Sequence, residues 1–217
     1  MSQTKVIGII SYFPDDERIR KNRNKLLNNL LLTLKRLFKN IPIMIVCQNW
    51  NKEETENYSK LNVTLYHYDK LGIVGARKKL REHFLNSPYD YLIMLDDDCT
   101  VIGNEKTVDY YLKQIDDNPN CFIEFNKTLL KLFAISKTLF KEVDYDDINP
   151  ENGEGFEDRI FVNKLRKLYP DKQRTFLRNG LNEYSVSTKD VFSTWYKDQD
   201  IKKMLDNTNI FIEQINK

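Results

Sequence analysis

Hydrophobic and polar positions along this chain follow two alternating rhythms. Residues 5–13 form a short, continuous, β-branched apolar run, which predicts a strand covered on both faces. Pro14, Asp15 and Asp16 end it. Over 17–39 the period changes. Ile19, Leu26, Leu27, Leu30, Leu31, Leu34, Leu37 and Phe38 recur at spacings of three and four, with Lys, Arg and Asn between them. That pattern predicts an amphipathic helix, closed by Asn40 and Pro42. A second buried strand follows over 41–47, a short helix over 53–60, and an alternating third strand over 63–68 that stops at Asp69. Residues 71–77 open a helix that runs to about 85 and is broken by Ser87 and Pro88. The fourth strand covers 91–95.

The first hundred residues therefore read β-α-β-α-β-α-β, which predicts a mostly parallel sheet flanked by helices. Ligands in such sheets bind beyond the carboxyl ends of the strands. Polar residues collect at four such ends: 11–15, 48–51, Asp69 and 96–98. Further on, 106–115 predicts a helix, 121–125 a strand, and 129–135 a strand leading into 136–140. The acidic, turn-rich stretch 144–155 reads as a loop. A helix carrying Ile160, Phe161, Leu165 and Leu168 follows, stopped by Pro170. The remainder holds a strand near 175–177, an aromatic-rich segment with Tyr184, Phe192, Trp195 and Tyr196, and a final amphipathic helix from about 201. No internal repeat or Gly/Ser linker divides the chain. It reads as one domain, 1–217: residues 4–103 as one half, 104–170 as a second, and 171–217 as a C-terminal extension.

The fourth strand delivers three consecutive carboxylates, Asp96, Asp97 and Asp98. Oxygen ligands of this kind suit Mg²⁺ or Mn²⁺, ions held by one or two carboxylates together with substrate phosphates. Alternation along an extended chain points Asp96 and Asp98 the same way and makes Asp97 the middle of an Asp-x-Asp. Asp after a strand also caps turns and helices, and that simpler role stands beside the first.

Composition narrows the field. A 217-residue chain with 41% hydrophobic and 30% charged residues is globular rather than disordered. A net charge of +2 makes no global case for nucleic acid, although Lys and Arg cluster over 18–39, 77–81 and 164–178. Such clusters are read first as solvated helix faces. Cys47, Cys99 and Cys121 form no metal-binding or disulfide pattern, so a reducing, cytoplasmic setting is expected. With only His67 and His83, a histidine-based metal site or triad is not expected. No apolar run is long enough to span a bilayer, and peripheral membrane contact stays open.

Residues 4–170 resemble the GT-A (Rossmann-like) fold of nucleotide-sugar glycosyltransferases, in particular the family 2-like group. Four segments carry the resemblance: the polar turn from Ser11 to Pro14; Gly72-Ile-Val-Gly75-Ala76-Arg77; Asp96-Asp97-Asp98; and Ile135-Ser136-Lys137 with Phe140, followed by Gly155-Phe156-Glu157-Asp158. The resemblance implies a metal-dependent, inverting hexosyltransferase that takes a nucleotide diphosphate sugar, UDP-hexose favoured, with Mn²⁺ or Mg²⁺. Asp98 is then the main metal ligand. Asp96 meets the ribose, or the metal through water. Arg77 is then near the pyrophosphate or the nucleobase, at a helix N-terminus that favours anions, and Gly72 and Gly75 allow close backbone approach; an exposed helix charge and an ordinary loop before a helix are the simpler alternatives. Asp158 becomes the general base, with Glu157 binding the acceptor; favourable placement of acids at a helix N-terminus is the simpler alternative for both.

Tyr12 and Phe13 are placed to bracket a nucleobase, and Asp69 to bond its edge; packing at the sheet edge is the alternative for the two rings. Ser11, Gln48, Asn49 and Asp97 are further candidates to contact the nucleotide sugar, but Gln48 and Asn49 stand where the family often has an acid, so the nucleobase stays open. Lys189, Trp195 and Tyr196 are candidates to close over the donor or acceptor, with ordinary core packing the favoured reading of the two aromatics. The late histidine that often completes the metal shell is absent after His83.

The acceptor is a hydroxyl of a glycan, a lipid-linked sugar, a protein or a modified DNA base. The basic stretches 18–23 and 164–178 would suit a phosphate-bearing acceptor. Two other readings compete. A nucleotidyltransferase of related fold would want a Gly-rich, basic loop after the first strand, where this chain has an acidic one without glycine. A non-catalytic binding module would keep the fold and be indifferent to Asp98.

Overall fold

The computed structural model describes residues 2–102, 105–124, 133–145, 157–175 and 182–185, with backbone alone for 99–102, 157–159, 175 and 182–185. A seven-stranded sheet runs in the order β3-β2-β1-β4-β7-β6-β8. Its strands are β1 (Lys5–Tyr12), β2 (Ile43–Gln48), β3 (Thr64–Tyr68), β4 (Tyr91–Asp96), β6 (Phe122–Glu124), β7 (Phe133–Ser136) and β8 (Gln173–Thr175). The pairs β1–β2, β2–β3, β1–β4 and β6–β8 are parallel, and β7 lies antiparallel between β4 and β6. A separate ribbon pairs β5 (Cys99–Ile102) with β9 (Asn182–Ser185).

Both sheet faces are covered, which is why β1, β2 and β4 are continuous apolar runs. Ile7, Ile9 and Phe13 face one core with Leu27, Leu31 and Leu34 of α1 (Glu17–Leu37). Val6 and Ile10 face the other with Leu80 and Phe84 of α3 (Gly72–Leu85), Phe140 of α5 (Lys137–Glu142), and Phe161 and Leu165 of α6 (Glu157–Leu168). Each fully buried Leu or Phe contributes about 1.5–3 kcal/mol relative to exposure. Among the described residues the remaining α-helices are α2 (Lys52–Ser59) and α4 (Glu105–Asp117). Gly8 lets α3 settle on β1: a Cβ there would lie 2.5 Å from Leu92 Cδ1 and 3.0 Å from Leu80 Cδ1.

The first half follows the predicted alternation element by element. The second half departs from it. The expected strand near 175–177 is β8, two residues earlier. Tyr184, placed in an aromatic segment, lies in β9, and β5 directly after the aspartates was not anticipated. Parts of the 121–135 and 144–155 expectations, and all of the helix from 201, lie outside the described residues. Among the described residues no helix is long and apolar enough to cross a membrane.

Candidate functional site

Parallel pairing places the carboxyl ends of β1, β2, β3 and β4 side by side. Ile10 is in register with Asp96, so Ser11 stands level with Asp97. Strand β4 stops at Asp96, and Asp97 and Asp98 form the turn into β5. The alternation that predicted a common direction for Asp96 and Asp98 therefore ends at Asp96.

Each of the first two carboxylates meets a buried arginine. Arg77 of α3 donates to both oxygens of Asp96, at 3.2 and 3.5 Å. Its side chain is 3% exposed, so Arg77 is not a solvated helix charge. Asp97 receives a hydrogen bond from Ser11 Oγ at 2.7 Å and an ion pair from Arg23 of α1. Ser11, Arg23 and Asp97 are all buried. The basic stretch 18–23, expected to face solvent, is thus partly structural: Arg23 and Arg20 turn inward. Asp98 is buried too, at 1% exposure. The three aspartates and two arginines together carry one net negative charge.

The neighbouring strand ends are stitched to one another. Gln48, buried after β2, accepts at Oε1 from the backbone N–H of Leu71 at 2.9 Å and so positions the start of α3. That helix has no side-chain cap at Leu71 and begins with Gly72 at φ 71° and then Gly75. Asn49 adopts φ 57°, a left-handed conformation that Asn tolerates better than most residues. Its Nδ2 donates to the Phe13 carbonyl at 2.8 Å and to Asp15 at 2.9 Å. Arg20 grips Glu54 with two hydrogen bonds of 2.6 Å and reaches the carbonyls of Asn49 at 2.7 Å and Pro14 at 3.2 Å.

Two expectations for nucleobase contacts change. Phe13 is wholly buried and stacked on Trp50, with centroids 4.9 Å apart and planes 9° apart, so its ring packs in the core and offers no face to a base. Gln48 and Asn49 bond the backbone of neighbouring segments. Tyr12 stays half-buried, with Lys70 Nζ 5.7 Å from its ring, and Asp69 is exposed after β3.

The late motif splits. Ser136 pairs with Tyr91, and the N–H of Lys137 bonds the carbonyl of Asp90, which puts both at the amino end of β4, away from the aspartates. Ser136 caps α5 by accepting from the Leu139 N–H at 3.2 Å. Glu157 and Asp158 open α6, with backbone alone described; Gly155, Phe156, Lys189, Trp195 and Tyr196 lie outside the described residues.

Sequence reasoning missed Arg23 as part of the site. The signal was present: Arg23 occupies the α1 stripe defined by Ile19, Leu26 and Leu30, where every other residue is apolar. Two strands away from β4, Glu124 is another buried acid the sequence did not single out, at the carboxyl end of β6 and bonded by Arg166 of α6 at 3.0 Å and by Gln173. A cleft of about 260 Å³, lined by Thr64, Tyr66, His83, Ser87 and Tyr89 among others, lies at the amino ends of β1 to β3. It is remote from the charged groups, so the acidic turn remains the candidate site.

Among the described residues no three His, Cys, Asp or Glu side chains converge as a ready-made metal cage. The donor set at the turn is nonetheless all carboxylate oxygen. A hard divalent ion needs only one or two such groups when phosphates complete its shell, so the residues fit one.

The sequence matches no known protein family and no curated protein. Solved structures do match in fold. A cytidylyltransferase from Leptospira borgpetersenii aligns at TM-score 0.60 and 12% identity, over 97% of both chains. A CMP:2-keto-3-deoxy-manno-octonic acid synthetase complexed with CTP aligns at 0.60 and 11%, over 97% of this chain and 99% of that one. A mannosyltransferase from Pyrobaculum calidifontis, in complex with GDP-Man and Mn²⁺, aligns at 0.56 and 9%, over 82% of this chain and 55% of that one. The chain has the α/β, GT-A-like fold these transferases share, a mostly parallel sheet flanked by helices.

Proposed function

We propose that this protein is a metal-dependent glycosyltransferase that moves a sugar from a nucleotide diphosphate sugar, UDP-hexose favoured, to a hydroxyl acceptor with inversion. The observation that carries this reading is the buried acidic turn at the carboxyl end of β4, beside the glycine-opened start of α3 and within reach of Arg77. A divalent ion at Asp98, with Asp96 beside it, would neutralise the charge that develops on the leaving nucleotide diphosphate. Arg77 and the open N-terminus of α3 would bind the pyrophosphate. Tyr12 and Asp69 are the remaining side chains offered to the base. Asp158 would take the proton of the acceptor hydroxyl and Glu157 would orient it. Mn²⁺ or Mg²⁺ is the proposed cofactor, and the chain is proposed to act as one catalytic domain.

A nucleotidyltransferase is the second reading, favoured by the fold match to two such enzymes. Against it stands the loop after β1. Asp15, Asp16 and Glu17 are exposed there, and Arg20 and Asn49 pin its backbone, which suits a triphosphate poorly. One assay separates the two. Incubation with UDP-hexose and Mn²⁺ should release UDP by slow transfer to water, abolished in Asp98→Ala. Pyrophosphate release from CTP and a sugar phosphate, without UDP release, would establish the second reading instead.

A further inference from the structure

We propose that Arg23 is the positioning residue of the acidic turn, holding Asp97 so that a divalent cation is received by the carboxylates on either side of it. The inference rests on the donor-site reading above. Arg23 sits in the apolar stripe of α1, 3% exposed. A guanidinium in that place is costly unless matched, and a hydrophobic residue of similar size would serve packing as well or better. Stability alone therefore does not account for it.

Its partner is Asp97, whose side chain is 4% exposed. Asp97 Oδ1 takes Arg23 and Oδ2 takes the Ser11 hydroxyl, so both oxygens are engaged by the protein. The network joins α1, the end of β1 and the β4–β5 turn, and it anchors the middle residue of that turn. On the far side, β5 pairs with β9, with Cys99 opposite Ser185. The turn is thus held from α1 and from the C-terminal part of the chain, with Asp98 lying between the two anchors. Groups that orient a metal ligand without touching the metal typically change its affinity about 10–100-fold when lost.

The test is Mn²⁺ binding, followed by the electron paramagnetic resonance of free Mn²⁺ in titrations with Mn²⁺ alone and with UDP, GDP, CDP or TDP added, each against a protein-free control, beside the thermal midpoint of each protein. Wild type should bind Mn²⁺, and Asp98→Asn should abolish that binding. In the double variant Arg23→Met/Asp97→Asn, both buried charges are removed together, so the midpoint should stay close to wild type. Its Mn²⁺ dissociation constant should rise about 10–100-fold. Arg23→Lys keeps the charge but not the planar fork, and should weaken binding by about tenfold. Wild-type affinity in a folded double variant would overturn the role of Arg23 and leave the donor-site reading standing. If the double variant does not fold, Arg23→Lys decides: unchanged affinity overturns the proposal. Absence of Mn²⁺ binding in wild type, both alone and with each of UDP, GDP, CDP and TDP, would overturn both.

Discussion

Arg20 shows how one side chain can organise two strand ends. Its guanidinium is shared among Glu54 and the carbonyls of Asn49 and Pro14, so the loops after β1 and β2 depend on it. Glu54 in turn completes a capping box with Asn51 at the start of α2. Removing the guanidinium leaves a nearly buried carboxylate short of a partner. Arg20→Ala should lower unfolding free energy by about 2–3 kcal/mol, read from urea denaturation. A loss within experimental error would mean that the loops hold without it. His83 makes a different prediction. It stacks on Tyr66 at 3.5 Å, and its Nε2 meets the Tyr68 hydroxyl at 2.8 Å. Burial lowers its pKa below the ordinary 6.5, against the pull of Glu82 and with a smaller push from Lys79. The folded protein therefore binds fewer protons here than the unfolded chain does just below that value. The contribution of this group is intact above about pH 6.5 and is lost progressively as pH falls below it and through the lower value of the folded state. Thermal midpoints measured from pH 7.5 to 5 should drop less steeply in His83→Gln than in wild type; parallel curves would exclude His83 as a source of the loss.

At the scale of elements, the sheet depends on close approach between α3 and β1. Gly8→Ala brings a methyl to 2.5 Å from Leu92 Cδ1, and Leu80 stands 3.0 Å away on the same face. Overpacking of this kind should cost about 1–3 kcal/mol, seen as a lower denaturant midpoint with an unchanged slope. Much of this architecture was legible in the sequence. Strands β1, β2 and β4 are unbroken β-branched runs, and α1 carries a long 3.6-residue stripe, so local pattern and tertiary burial agree. Strands β6, β7 and β8 have three or four residues each, too few for a period to register, and β7 runs against its neighbours. Strand β9 meets β5 across some eighty positions of chain, and no local signal announces such a pairing. The candidate site was legible in the same uneven way. The aspartates and Arg77 declare themselves by type and place. Arg23 and Glu124 become meaningful only when the fold brings their partners to them. Phe13 reads as a recognition aromatic because it follows a strand end, yet Trp50 and Tyr58 claim its ring for the core.

For the whole molecule, the polar strand ends and the buried charges gather at one end of the sheet. Four strand ends converge there, the acids are compensated to one net negative charge by Arg23 and Arg77, and the loop after β1 is closed down by Arg20 and Asn49. The proposed function requires a nucleotide diphosphate and a divalent ion to bind together at this end. Thermal unfolding against UDP, GDP, CDP and TDP, each with Mn²⁺ and with EDTA, tests it directly. A ligand at about 100 times its dissociation constant adds about 2.7 kcal/mol to folding, or roughly 5–10 °C for a chain of this length. One nucleotide diphosphate should raise the midpoint by that amount with Mn²⁺, not with EDTA, and not in Asp98→Ala. Midpoints that move with none of the four, or that move equally in Asp98→Ala, would contradict the assignment of the donor site.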